Sequence, residues 1–228
     1  MIPLKDENPV STVPIVVYII VAINLAVFFN QLSLGEQINE FFQLYAVIPQ
    51  ELTASLAGNP PYQAVPEPLT LVTSQFLHGG WGHIGFNMLY LWIFGNNIED
   101  VLGHFRFIIF YLVCGILAGL THWFFGMESV VPTIGASGAI AGVMGAYVIK
   151  YPKAKIVTLL PLGIIFTTIR IPAIFFLGFW FLQQAVSSFA SLGTVGDQGG
   201  VAYWAHAGGF VFGMVVGPLL GLFSRRRR

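Results

Sequence analysis

Few side chains in this chain are able to do chemistry, and their pattern points to acyl transfer. Ser137 lies in Gly135-Ala136-Ser137-Gly138, where flanking glycines let a substrate backbone come close. It is the candidate nucleophile, with Gly135 as a substrate-binding position. Histidine as a residue type titrates near neutrality and can accept and return a proton, so His206 is the candidate general base and acid. His83 and Asn87 are four residues apart, so on a helix they share one face and can aim two donors at a developing oxyanion. The backbone N–H of Ser137, near a helix N-terminus, lacks an intrahelical partner and can add a third.

These residues sit in sequence that water does not suit. The 228 residues are 56% hydrophobic and 9% charged, and the apolar ones fall in long blocks. Six blocks read as membrane spans: 13–32, 81–97, 107–125, 137–149, 171–191 and 200–223. At about 1.5 Å of rise per residue and about 30 Å of hydrocarbon, Ser137 lies about 10 Å below the outer edge. His83 comes out about 9 Å deep, Asn87 about 15 Å and His206 about 6 Å. Four polar groups from three spans therefore share one layer. Gly138, Gly142 and Gly145 in the fourth span and Gly209, Gly213 and Gly217 in the sixth recur at small-residue spacing. Such faces let helix backbones approach, which would bring Ser137 and His206 together.

Charge orients the spans. Lys5, Arg106, Lys150, Lys153, Lys155, Arg170 and Arg225 to Arg228 all fall on one side of the six-span map. Glu36, Glu40, Glu51, Glu67, Glu128 and Asp197 fall on the other. The positive-inside rule makes both termini cytoplasmic, in a multi-pass protein of the cell membrane whose site opens outward. The organisation is a cytoplasmic stretch 1–12, one all-α membrane domain 13–223 with an outer loop 33–80, and a basic tail 224–228. That tail contacts anionic lipid rather than nucleic acid. Within the loop, Ile38, Phe41, Phe42, Tyr45 and Ile48 share a side, as in a helix lying in the interface. The first block lacks a strong basic leader and a small-residue cleavage pattern and is of full span length, so it reads as retained rather than removed as a signal. Cys114 is the only cysteine and can form no intramolecular disulfide.

Each residue alone has a plainer reading as interhelical glue or packing. The coincidence of four at one depth favours chemistry. His122 reads as structural, while Gln183 and Gln184 line a wet cavity or bridge helices. No metal or cofactor is implied. His78 to His83 has neither the spacing nor the Glu of a zinc protease helix. An aspartyl protease needs two buried carboxylates, and Asp197 has no partner. A transporter or channel would carry ionisable or broken-helix sites at mid-membrane.

With these residues in hand, the chain resembles the rhomboid intramembrane serine proteases, a six-span family with a Ser and His dyad. The resemblance rests on His78-x4-His83-x3-Asn87, Gly135-Ala136-Ser137-Gly138 and Ala205-His206-Ala207-Gly208-Gly209, each in the matching span and order. It implies a six-helix rhomboid-like bundle that hydrolyses peptide bonds in or near transmembrane segments of other membrane proteins. Ser137 would be the nucleophile and His206 the base, with His83, Asn87 and the Ser137 amide stabilising the oxyanion and His78 supporting the outer loop. Short ends without an organelle leader fit the prokaryotic type. Some members place an aromatic four residues after the nucleophile, under the His; here that position is Ala141, so another group must orient the ring. The competing reading is a non-catalytic rhomboid-like protein that binds transmembrane helices, a kind that lacks the Ser or the His.

Overall fold

In a computed structural model of the chain, which describes residues 1–61, 64–163, 165–191 and 201–224, apolar sequence forms helix, the conformation that pairs its own backbone groups. Helices α1 (Ile15–Ser33), α7 (His104–Phe125) and α9 (Ala173–Ala190) are long and apolar enough to cross a bilayer, the three that are so among the described residues. The other three expected spans are helical but shorter or interrupted. They are α8 (Ser137–Lys150), α10 (Tyr203–Leu219), and a run made of α5 (Trp81–Tyr90), a π-helical turn (Leu91–Gly95) and α6 (Asn96–Leu102). The chain is a largely helical membrane protein.

The all-α expectation needs correction. Strands β1 (Ile2–Asp6), β2 (Lys155–Leu162) and β3 (Ile165–Pro172) form an antiparallel sheet in the order β1-β2-β3, with Ile156 opposite Ile171 and Thr158 opposite Ile169. Of these, β2 and β3 carry most of the β-branched Ile, Val and Thr, which favour a pleated surface over a helix. Gly163, at φ +67°, lies in the turn of the β2–β3 hairpin. Ile171 and Pro172 complete β3, so α9 starts two residues later than the expected fifth span. The Asp6 carboxylate anchors the sheet to the bundle, accepting from Asn97 Nδ2 at 2.8 Å and from the Tyr147 hydroxyl at 2.7 Å. The basic tail 225–228, like Asp197, lies outside the described residues.

The long connection after α1 folds into α2 (Ile38–Tyr45), α3 (Pro49–Leu56) and α4 (Glu67–Thr73). Ile38, Phe41, Phe42 and Tyr45 are half-buried in α2 while Glu40 and Gln43 are exposed, as the periodicity predicts. The start of α1 is held by Glu99 of α6, whose carboxylate accepts from the amides of Val16 at 2.9 Å and Val17 at 2.8 Å. Those are two of the orphan donors of a helix N-terminus.

Helices α8 and α10 form the closest pair. A Cβ on Gly209 would collide with the carbonyl of Gly138, one on Gly213 with that of Gly142, and one on Gly145 with that of Phe210. Only glycine permits this backbone contact, and α7 closes the third side with Cys114 and Ala118 against Gly142 and Gly138. Residues 139–147 of α8 are fully enclosed, among them Ile140, Met144 and Tyr147. The small-residue faces thus put the first turn of α8 beside the first turn of α10.

Candidate active site

Ser137 opens α8, and the segment before it is pinned on two sides. Val47 and Thr133 exchange backbone hydrogen bonds of 3.1 and 2.8 Å, and the Gly135 amide donates to the Ser74 carbonyl at 2.9 Å. Gly135 has φ +122°, in the region that favours glycine, and a Cβ there would lie 2.7 Å from His83 Nε2. The glycine therefore sets how near α5 comes to the serine.

His206 lies in the first turn of α10, with its Nε2 2.7 Å from Ser137 Oγ. Its other ring nitrogen, Nδ1, lies 2.8 Å from Gln184 Oε1 on α9. An amide oxygen only accepts, so Nδ1 carries the proton and Nε2 is free to accept from the serine hydroxyl. One turn earlier on α9, Trp180 packs on the imidazole with ring centroids 5.7 Å apart and planes at 34°. Ala141 is fully buried, so the aromatic neighbour of the ring comes from α9 and not from α8.

On α5, His83 Nδ1 accepts from the Gly79 amide at 3.3 Å, which places the ring proton on Nε2, the nitrogen beside Gly135. Asn87 is buried one turn further along, and its Nδ2 has no hydrogen-bond partner among the described residues. A buried amide donor left unpaired is costly, so it is available to an incoming acceptor. His78 stacks edge-on against His83 at 5.0 Å. Its backbone is gripped by Gln31 of α1, and burial, with His83 beside it, pushes its ring down to about 4. The ring stays neutral at ordinary pH and has no contact with the serine.

The structure thus brings Ser137, His206, Gly135 and His83 together, with Asn87 on the same face of α5 as His83. His122 of α7 is half-buried and makes no hydrogen bond to the pair, and its Nδ1 is without a partner among the described residues. Gln183 is exposed, whereas Gln184 is 8% exposed and faces the histidine. Sequence reasoning left Gln184 between two roles because adjacent residues point about 100° apart on a helix, and nothing local says which one faces inward. Behind the serine lies a cavity of about 30 Å³ lined by Ser74, Gln75, Thr133, Gly135 and Ser137, room for a water molecule. Among the described residues no cluster of three or more His, Cys, Asp or Glu could hold a metal ion.

Residues 66–223 match the Rhomboid domain family. Over 216 residues the chain is 28% identical to a yeast protein, rhomboid protein 1, mitochondrial, covering 93% of this chain and 55% of that one. It is 34% identical over 157 residues to rhomboid protease GluP of Bacillus subtilis, covering 68% of this chain and 28% of the relative. With rhomboid-like protein 11, chloroplastic, of Arabidopsis thaliana, it shares 31% identity over 170 residues, 71% of this chain and 56% of the relative. The chain spans about half the length, or less, of these curated relatives.

Proposed function

The chain belongs to the rhomboid family, and from that premise we propose that it is an intramembrane serine endopeptidase that cuts peptide bonds in or near transmembrane segments of other membrane proteins. The observation that carries this reading is the 2.7 Å contact between His206 Nε2 and Ser137 Oγ, with the tautomer that general-base catalysis requires. Ser137 Oγ attacks the scissile carbonyl carbon while His206 Nε2 takes its proton. The carbonyl oxygen, now an anion, accepts hydrogen bonds from the Ser137 amide, His83 Nε2–H and Asn87 Nδ2–H. Collapse of the tetrahedral intermediate breaks the C–N bond, and His206 returns the proton to the leaving amine. Water, activated by the same histidine, then hydrolyses the acyl-enzyme ester. The cavity behind Ser137 supports access for that water. In a site with little water, each fixed donor acts in a low dielectric and is worth far more than in solution.

The substrate segment must unwind locally, because a helical carbonyl is already hydrogen-bonded and shielded. Residues that break helices should therefore favour cutting nearby. The one-sided distribution of Lys and Arg supports a multi-pass cell-membrane protein, with the segments before α1 and after α10 cytoplasmic and the site open to the extracytoplasmic side. On this reading residues 13–223 are one membrane domain in contact with lipid and substrate, and no cofactor is required.

The test is cleavage of a single-span substrate by the purified full chain in lipid vesicles. Ser137→Ala and His206→Ala should each lose activity by about 10³-fold or more. Equal cleavage by all three proteins would remove the reading, and substrate capture without cleavage by the parent would point to a binding protein.

A further inference from the structure

We propose that Gln184 is a positioning residue for the reaction, completing a Ser137–His206–Gln184 relay in which a neutral amide on α9 does what a carboxylate does elsewhere. This rests on the protease reading above. Three observations carry it. Gln184 Oε1 lies 2.8 Å from His206 Nδ1, Gln184 is 8% exposed, and the Ser188 hydroxyl donates to the Gln184 carbonyl at 2.8 Å, tightening the turn of α9 that carries the amide.

An imidazole in apolar surroundings needs an acceptor for its second N–H, because leaving that donor unpaired costs the full desolvation of the group. It also needs that acceptor for function. Without it the ring can exchange tautomers or rotate about Cβ–Cγ, and Nε2 would then present a proton to Ser137 Oγ in place of a lone pair. The other titratable groups around the ring are His83 of α5 and His122 of α7, and neither makes a hydrogen bond to it. Trp180, one turn away on α9, covers the ring but has no acceptor oxygen. Gln184 is thus the one group hydrogen-bonded to Nδ1 among the described residues.

An amide and a carboxylate differ in one respect that an experiment can read. Both fix the tautomer, but only a carboxylate adds charge that favours the imidazolium. An amide serves in the same position in cysteine proteases that use Cys, His and Asn. The arrangement also explains how Ala141 is tolerated: both the packing surface and the acceptor for His206 come from α9.

The test uses the full chain in lipid vesicles and a single-span substrate, with kcat and KM measured over a pH series. Gln184→Met removes the acceptor at similar volume and should lower kcat by about 10²-fold, the low end of what a general base contributes, with KM within about twofold. Fluorophosphonate labelling of Ser137 should slow in parallel. Gln184→Glu restores an acceptor; it should recover part of kcat and move the acid limb of the kcat/KM profile to higher pH. Gln183→Met, on the exposed side of the same helix, should behave as the parent. A Gln184→Met kcat within about twofold of the parent, or a Gln184→Glu acid limb unmoved, overturns the role of Gln184 while leaving the dyad intact. Loss of KM alone in Gln184→Met would mark a packing residue and also overturn it. A parent that does not cleave overturns the protease reading first.

Discussion

Gln31 of α1 and His78 are joined in both directions: the Gln31 Nε2 donates to the His78 carbonyl at 2.9 Å, and its Oε1 accepts from the His78 amide at 3.0 Å. Both residues are buried, so the side chain substitutes for a strand partner at the point where the chain turns into α5. Gln31→Leu should strand two buried backbone groups at a cost of about 2–4 kcal/mol. Thermal unfolding in detergent reads this directly, and a variant as stable as the parent would show that water replaces the clamp.

Asn87 has an unused buried donor on the face of α5 that carries His83. Asn87→Ala should lower kcat by about 10²- to 10³-fold with little change in KM, the pattern of a donor engaged only in the transition state. A change confined to KM would mean that Asn87 binds the ground state instead.

Gly135→Ala places a Cβ at positive φ and 2.7 Å from His83 Nε2. The backbone strain alone is worth about 1–3 kcal/mol, and either His83 or the Ser137 turn must move. Activity should fall at least about tenfold, beyond any loss of stability. Normal kcat in a destabilised Gly135→Ala protein would show that His83 need not approach this closely.

In the long connection after α1, Glu67 of α4 is buried and hydrogen-bonded to Glu51 of α3, and burial followed by that neighbouring charge pushes its carboxyl up to about 7. The folded protein therefore holds a proton that the unfolded chain, at 4.5, releases more readily. Stability from this group is fully present below the unfolded value and declines as pH rises through about 7. The melting temperature of the parent should fall over that window, and Glu67→Gln should flatten the slope. Equal slopes in both proteins would assign the pH dependence elsewhere.

The approach of His206 to Ser137 and of His83 to Gly135 was legible because polar side chains in apolar sequence are few and each must be explained. The glycine spacing also pointed to the α8–α10 contact, since small residues every fourth position have one main use in a span. Gln184 was not legible: its role depends on the rotation of α9 relative to α10, which no local pattern encodes. The sheet was missed for another reason. Residues 150–170 read as the basic connection between the fourth and fifth spans, and β1 pairs with a strand about 150 residues later in sequence. Periodicity within one segment says nothing about so distant a partner.

The β2–β3 hairpin has a mechanical consequence for the histidine. Where β3 passes into α9, the amides of Ala173 and Ile174 donate to the carbonyls of Ala154 and Pro152 at 2.8 and 3.0 Å, fixing that end of the helix like a hinge pin. Gln184 is eleven residues along the rod, a lever arm of about 16 Å. A tilt of about ten degrees about the pin sweeps Gln184 through about 3 Å, the full length of its bond to His206. The histidine is therefore held by the far arm of a lever that rests on α10 through Phe181 against Phe210 and Phe189 against Trp204, and the angle of α9 decides whether the amide and the imidazole meet.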